Sequence, residues 1–235
     1  MKLVVVTVLA GAILVAMTSP LCAQTEQYLR RPHRVAISVD GGMAIPSKPS
    51  VYNDLWNTGW PFSIGATVSI FSWLEVGGGL TYGAFSISEI NAKPAMGIVA
   101  TSEVNGGDIK LLEYYGVARF IAVPNQRTNP FAEVEVGVHR ITADDIQVEG
   151  SAAGPTIFPA FSNSMPAADG IHFAGGAGLR YALGDNWTAY TKFMWTVNLG
   201  NNFAPGDLVR RRGSEPTEGE NMQFGTVIVG IMIRI

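Results

Sequence analysis

The residues that could do chemistry in this chain are few: three histidines, a pair of adjacent aspartates and a run of arginines. The histidines, His33, His139 and His172, lack the spacing of a metal site, so no metal and no cofactor is expected. Asp144-Asp145 lie shortly after His139, but adjacent acids in a loop are more often solvated turn residues. No catalytic constellation emerges, and the chain is predicted not to be an enzyme.

The arginine run Arg210–Arg212 could bind phosphate groups, since guanidinium pairs well with phosphate. Asp207, Glu215, Glu218 and Glu220 surround it, so three cations face four anions and the segment is slightly acidic. A solvated, self-paired loop is therefore the expected state, with phosphate binding as the alternative.

Composition restricts the elements that could position these residues. The chain has 235 residues, a formal charge of −3 and one cysteine, and only 15% of its residues are charged, against roughly 25% in an average soluble domain. Disorder requires the opposite balance, a disulfide scaffold requires paired cysteines, and nucleic-acid binding usually shows a basic excess. The composition excludes all three classes, and no nucleic-acid partner is expected.

The N-terminus has the order of a secretory signal. Lys2 supplies a positive charge, Leu3–Met17 is almost continuously apolar, and small residues lead to Ala23. The apolar run is short for a membrane span, which needs roughly 20 residues. We predict a cleaved signal peptide at 1–23 and one domain at 24–235. Lipidation of Cys22 is the alternative, which the large Leu21 before it disfavours.

The rest of the chain alternates apolar and polar residues over segments of about ten residues, as membrane β-strands do. Eight such segments are predicted: Arg34–Ile45, Pro61–Phe71, Leu74–Ile87, Asp108–Val123, Pro130–Ile141, Gly170–Ala182, Trp187–Leu199 and Met222–Ile235. Short, turn-rich connections alternate with long ones, which is typical of outer-membrane barrels. We predict an all-β, eight-stranded antiparallel up-and-down transmembrane β-barrel; a soluble sandwich would also alternate, but fits the signal peptide and the long, glycine-rich strands less well.

Two stretches carry a resemblance to a known family. Phe71–Leu80 is a tight turn entering a glycine-rich strand, and Gly225–Ile235 is an alternating terminal strand. The chain resembles the small outer-membrane β-barrel proteins of the OmpA, OmpX and OmpW types, although Arg234-Ile235 stands where the family usually ends on an aromatic residue. Lipid A deacylases of this architecture use a serine and a histidine two residues apart on a strand, and neither His139 nor His172 has such a partner.

The resemblance implies a set of expectations about location and partners. The chain is expected in a Gram-negative-type outer membrane, in contact with the lipid bilayer and lipopolysaccharide, as a monomer inserted by the barrel-assembly machinery. Aromatic residues near the strand ends fit the belts that mark membrane interfaces. The lower belt is predicted to contain Trp73, Phe120, Phe131, Tyr181 and Trp187, and the upper belt Tyr82, Tyr114, Phe173 and Trp195.

Charged strand residues share the parity that would face the barrel interior. An eight-stranded barrel is just wide enough to be filled by side chains, and buried charges are tolerated when they are paired. Folding two strands about Gln126-Arg127 puts Arg119 opposite Val134 and brings Glu113 close to His139. We predict a lumen charge cluster centred on Arg119 in the lower half, formed by Glu75, Glu113, Arg119, Glu133, Glu135, His139 and Arg180.

Two functions remain open at this point. The favoured one is a non-enzymatic barrel with a structural or surface-contact role, because a charge-filled lumen would block passage. The alternative is a narrow barrel that carries small or hydrophobic solutes across the outer membrane. A lateral opening for such solutes would need a broken strand or an apolar lumen, and the alternative for the charged groups is that they are solvated in a wet lumen.

Overall fold

The computed structural model describes residues 35–98, 102–124, 126–148, 151–153, 156–158, 160–209, 215–216 and 218–235. The predicted signal peptide at 1–23 and the arginine run Arg210–Arg212 lie outside these residues. Both therefore stay predictions from the sequence.

Eight long strands form a closed antiparallel barrel, which confirms the predicted fold class. Around the barrel they follow the order β1, β8, β7, β6, β5, β4, β3, β2. Their bounds are β1 Val35–Lys48, β2 Trp60–Phe71, β3 Leu74–Phe85, β4 Ile109–Ile121, β5 Thr128–Ala143, β6 Ala168–Ala182, β7 Trp187–Phe203 and β8 Glu220–Arg234. Each predicted segment coincides with one strand, and the ends differ by a few residues.

The alternation along each strand separates an apolar outer wall from a polar lumen. On β5, the outward-facing Val134 and Val136 are 51% and 53% exposed, whereas the neighbouring Glu133, which faces the lumen, is 1% exposed. This is the reverse of a soluble protein, in which large apolar side chains are buried. It is the arrangement expected when lipid, not water, surrounds the wall.

The connections make the two ends of the barrel unlike. Tight connections at 72–73, 122–127 and 183–186 share one end, called the lower end here, with Val35 and Ile235. The upper end carries the four long loops. The described residues of these loops contain three short helices, α1 Ser50–Leu55, α2 Glu89–Met96 and α3 Gly206–Val209. They also contain five short strands: Val104–Asn105, Ile146–Val148, Ser151–Ala153, Thr156–Phe158 and Phe161–Asn163.

The upper loops fold over the barrel and bury an apolar cluster, which we call the cap. Tyr52 of α1 is fully buried and packs edge-to-face on Phe85 and Phe203, with ring centroids 5.4 and 5.5 Å apart. The indole Nε1 of Trp56 donates a hydrogen bond of 2.8 Å to the carbonyl of Gly107. Burial raises the pKa of the Tyr52 hydroxyl well above its usual value, so Tyr52 is neutral inside the cap.

Exposed aromatic residues lie near both ends of the outer wall. At the lower end the rings of Phe71, Trp73 and Phe120 stack in sequence, with centroids 5.4 and 6.3 Å apart. Phe131 was predicted in this belt, but that assignment is wrong: Phe131 shares the parity of Glu133, faces the lumen and is buried. At the upper end Trp60 extends the predicted belt. No helix among the described residues is long and apolar enough to span a membrane.

Candidate functional site: a chain of ion pairs along the lumen

The lower part of the lumen is organised around one carboxylate. Glu75 on β3 accepts hydrogen bonds from Nη1 of Arg180 at 2.7 Å and Nη1 of Arg119 at 3.2 Å. Nη2 of Arg234, at the lower rim, lies 3.7 Å from the same carboxylate. Because strands β3, β4, β6 and β8 each supply one of these groups, Glu75 ties together four strands that are distant in sequence.

From Arg119 the ion pairs continue upward in strict alternation of charge. Nε of Arg119 lies 2.5 Å from Glu133, and Glu133 in turn accepts a 2.5 Å hydrogen bond from Nζ of Lys192. The same ammonium group lies 3.3 Å from Glu135. Glu133 is therefore shared by two cations, and Lys192 is shared by two carboxylates. This sharing satisfies several hydrogen-bond donors and acceptors at once.

The upper part of the series ends under the cap. Nε2 of His172 lies 3.4 Å from Glu135, and its Nδ1 lies 2.9 Å from Glu113. Asn198 also donates from Nδ2 to Glu113 at 3.1 Å. We call the continuous series the charge chain; from the lower end it consists of Arg234, Glu75, Arg180, Arg119, Glu133, Lys192, Glu135, His172 and Glu113.

Aromatic and small residues hold the charge chain in place. The guanidinium of Arg119 lies over the rings of Phe131 and Tyr190, 5.1 and 5.7 Å from their centroids. The Tyr190 hydroxyl on β7 donates a short hydrogen bond to Asp40 on β1, across the intervening strand β8. Gly230 leaves the space that the Tyr190 ring occupies, since a Cβ there would lie 2.5 Å from Tyr190 Cζ.

The predicted register between β4 and β5 is wrong by one residue. Arg119 lies opposite Glu133, not Val134, and Glu113 lies directly opposite His139. The prediction folded the two strands about the midpoint between Gln126 and Arg127, whereas the observed pairing is symmetric about Gln126. This half-residue difference in the centre shifts each paired residue by one position. The shift places Arg119 and Glu133 directly across from each other on the lumen face.

The prediction grouped the charged residues around Arg119, whereas in the structure they form a series along the lumen. Glu135 does not contact Arg119; it pairs with Lys192 and His172 instead. Nδ1 of His139 has no hydrogen-bond partner among the described residues. The prediction omitted Lys192, His172 and Asn198 from the cluster, although their lumen-facing parity was the signal that could have included them.

A small cavity lies between the charge chain and the opposite wall. Its volume is about 30 Å³, which is room for one or two water molecules. Polar groups from both walls line it, among them Ser63, Thr81, Tyr115, Lys192 and Thr226. On one side β2 and β3 contribute small residues such as Ser63 and Thr81, while β4, β5 and β7 contribute the charged side chains of Glu113, Glu135 and Lys192.

The arrangement offers rigidity and charge pairing. Glu75, Arg119 and Glu133 are each at most 4% exposed and are committed to ion pairs. Among the described residues, no group of three His, Cys, Asp or Glu side chains is placed to hold a metal ion.

The fold defines a class, the small eight-stranded outer-membrane β-barrels, and solved structures show the same architecture. Neisserial surface protein A is 12% identical, with a TM-score of 0.50 over 86% of this chain and 97% of that one. OprG from Pseudomonas aeruginosa is 10% identical, with a TM-score of 0.49 over 89% and 99%. Ail, the attachment invasion locus protein of Yersinia pestis, is 10% identical, with a TM-score of 0.48 over 87% and 100%.

At these identities the likeness concerns the fold. No protein-family model matches the chain, and no curated protein matches it in sequence. The chain is a small outer-membrane-type β-barrel, and its particular role has to be argued from its own residues.

Proposed function

We propose that this chain is a non-enzymatic integral outer-membrane barrel with a closed lumen, whose upper loops face the outside and serve a structural or surface-contact role. The observation that carries the proposal is the double closure of the interior. The charge chain runs along the lumen from Arg234 to Glu113, and the apolar cap covers its upper end. Between them a cavity of about 30 Å³ is too small for a solute.

The lipid bilayer and lipopolysaccharide are the partners that the outer wall and upper rim fit best. Large apolar side chains cover the wall, and the exposed cations Lys110 and Arg140 lie on the outer face at the upper ends of β4 and β5. Insertion by the barrel-assembly machinery and export through the signal peptide at 1–23 complete the proposal. The protein is expected to act as a monomer, since the barrel closes on itself.

Transport of small hydrophobic solutes is the second candidate, and one observation favours it. Above Glu113 the interior is apolar, because Phe85, Leu111 and Phe224 belong to the buried cluster of the cap. An apolar solute could enter there if the cap moved aside, although the charge chain below would still have to be passed.

Flux across liposomes separates the two candidates. Purified protein is reconstituted into liposomes. Uptake of a small sugar and of an apolar fluorescent dye into the liposome interior is then compared with uptake by protein-free liposomes. The closed-barrel proposal predicts no acceleration for either solute. Faster uptake of the dye would favour the transporter, and faster uptake of the sugar would contradict a closed lumen.

A further inference from the structure

His172 is the one member of the charge chain whose side-chain type gains or loses its charge near neutral pH. Both ring nitrogens face acceptors: Nδ1 lies 2.9 Å from Glu113 and 3.1 Å from Oδ1 of Asn198, and Nε2 lies 3.4 Å from Glu135. A neutral imidazole carries a proton on one nitrogen and presents a lone pair on the other. In this position the lone pair would point at a carboxyl group, so two ionised carboxylates require both nitrogens to donate.

The charge balance of the lumen leads to the same requirement independently. Among the described strand residues that face the lumen, five are carboxylates and four are permanent cations, which leaves 4 − 5 = −1. The carboxylates are Asp40, Glu75, Glu113, Glu133 and Glu135, and the cations are Arg119, Arg180, Lys192 and Arg234. One further positive charge makes the interior neutral, and uncompensated buried charge is costly.

Among the described groups around His172, no further permanent cation supplies that charge; the other route to neutrality is a proton on Glu113 or Glu135, which a neutral-ring spectrum of His172 would reveal. Glu113 and Tyr115 face it from β4, Glu135 and His139 from β5, and Lys192 and Asn198 from β7. Lys192 is already shared between Glu133 and Glu135. His139 has an Nδ1 without a partner among the described residues, as a neutral ring allows.

We propose that His172 holds a resident proton that closes the top of the charge chain, which makes the upper lumen a pH-sensitive lock directly beneath the cap. With the proton, Glu113 and Glu135 share one imidazolium across β4, β5 and β6. Without it, the two carboxylates face a neutral ring and the interior carries an unpaired negative charge. The lock depends on the lumen residues and not on any partner of the upper loops.

Paired substitutions test the lock through charge balance. His172→Gln removes the cation and keeps a hydrogen-bonding side chain, so it should lower the urea concentration at which half the protein unfolds. Adding Glu113→Gln restores neutrality, with four carboxylates against four cations, and should recover most of the loss. A double variant as unstable as the sum of the two single variants, or a His172→Gln variant as stable as wild type, would overturn the lock.

A pH series adds a readout that a merely structural histidine would not move. The imidazolium stabilises the folded barrel at low pH, and that stabilisation disappears as the pH rises and the proton leaves. Wild-type protein should therefore lose resistance to urea on the alkaline side, and the Glu113→Gln, His172→Gln double variant should not. Equal profiles for both proteins would contradict the proposal.

Nitrogen NMR of the full chain, without a histidine tag and with 15N-labelled histidine, reads the protonation directly. The chain has three histidines, so the signal lost in His172→Gln assigns the ring. In detergent at neutral pH, both His172 nitrogens should show imidazolium shifts. A neutral-ring spectrum for His172 in the folded wild type would refute the resident proton whatever the stability data show.

Discussion

Arg119 shows at the residue scale why charged side chains can fill a membrane barrel. Its side chain is 5% exposed, and its guanidinium pairs with Glu133 at 2.5 Å and Glu75 at 3.2 Å. Removing such charges from water is expensive, and close pairing with satisfied hydrogen bonds offsets that cost. Its aromatic neighbours, Phe131 and Tyr190, add cation–π attraction. The stability of the charge chain therefore depends more on complete pairing than on any one contact.

Substitution of Arg119 by alanine should be strongly destabilising. It leaves Glu75 with weaker compensation and Glu133 with only Lys192, and losing one partner of a buried pair typically costs about 3–5 kcal/mol. Urea unfolding, followed by tryptophan fluorescence, measures the loss.

The matched control for Arg119→Ala is Arg140→Ala. Arg140 is 60% exposed and lies 3.8 Å from Asp169, and exposed pairs contribute about 0–1 kcal/mol. Equal effects of the two substitutions would show that the lumen charges are solvated rather than paired.

Gly230 offers a second residue-scale test, because a Cβ there would lie 2.5 Å from Tyr190 Cζ and 2.6 Å from Asp40 Cβ. Gly230→Ala should displace the Tyr190 ring and weaken its hydrogen bond to Asp40. Overpacking of this kind costs about 1–3 kcal/mol, again read from urea unfolding. Gly175→Ala is the control, since a Cβ at Gly175 meets nothing within 4 Å; a Gly230→Ala protein as stable as Gly175→Ala would contradict the packing described.

At the element scale, the strands could be predicted from sequence and the loops could not. Period-two alternation located β4 at Asp108–Val123, and the strand runs Ile109–Ile121. The six-residue helix α1 has no comparable signal, because an isolated helix of this length is unstable in water. It is held by tertiary contacts of Tyr52 and Trp56 with distant segments, which a local pattern does not contain.

The charge chain was predictable in its members and not in its connections. Parity identified Glu75, Arg119 and Glu133 as lumen residues, because alternation is a property of each strand separately. Contact between Lys192 and Glu133, or between His172 and Glu113, depends on the stagger of nonadjacent strands. A one-residue error in the β4–β5 turn was enough to put Val134 in place of Glu133 opposite Arg119.

The cap should loosen independently of the barrel. Trp56→Phe keeps an aromatic ring but removes the indole donor, which leaves the carbonyl of Gly107 without its 2.8 Å hydrogen bond. A buried group left unsatisfied costs about 1–3 kcal/mol. Hydrogen exchange should accelerate in the loops around α1 and Gly107 while the strands stay protected.

Trp60→Phe is the control for the cap, because Trp60 is 66% exposed on the outer wall. It should leave exchange in both regions unchanged. Faster exchange throughout the barrel in Trp56→Phe would mean that the cap and the strands unfold as one unit.

At the scale of the whole molecule, a closed ladder leaves no free strand edge in the barrel. Because the ladder satisfies the backbone hydrogen-bonding groups, the folded barrel resists unfolding by detergent. Unboiled protein should therefore stay folded in sodium dodecyl sulfate and migrate differently from boiled protein on a gel. Identical mobility of the two samples, together with a helical circular dichroism spectrum, would contradict the barrel.

The central claim is that the charge chain and the cap close the lumen, and ion conductance across a planar bilayer tests it most directly. Wild-type protein should give no large, steady conductance, since paired charges line the interior above Glu75 and the cavity beside them has a volume of about 30 Å³. Protein that refolds with the gel shift of an intact barrel and still shows large, steady open-channel currents would contradict the closed lumen and favour a transporter.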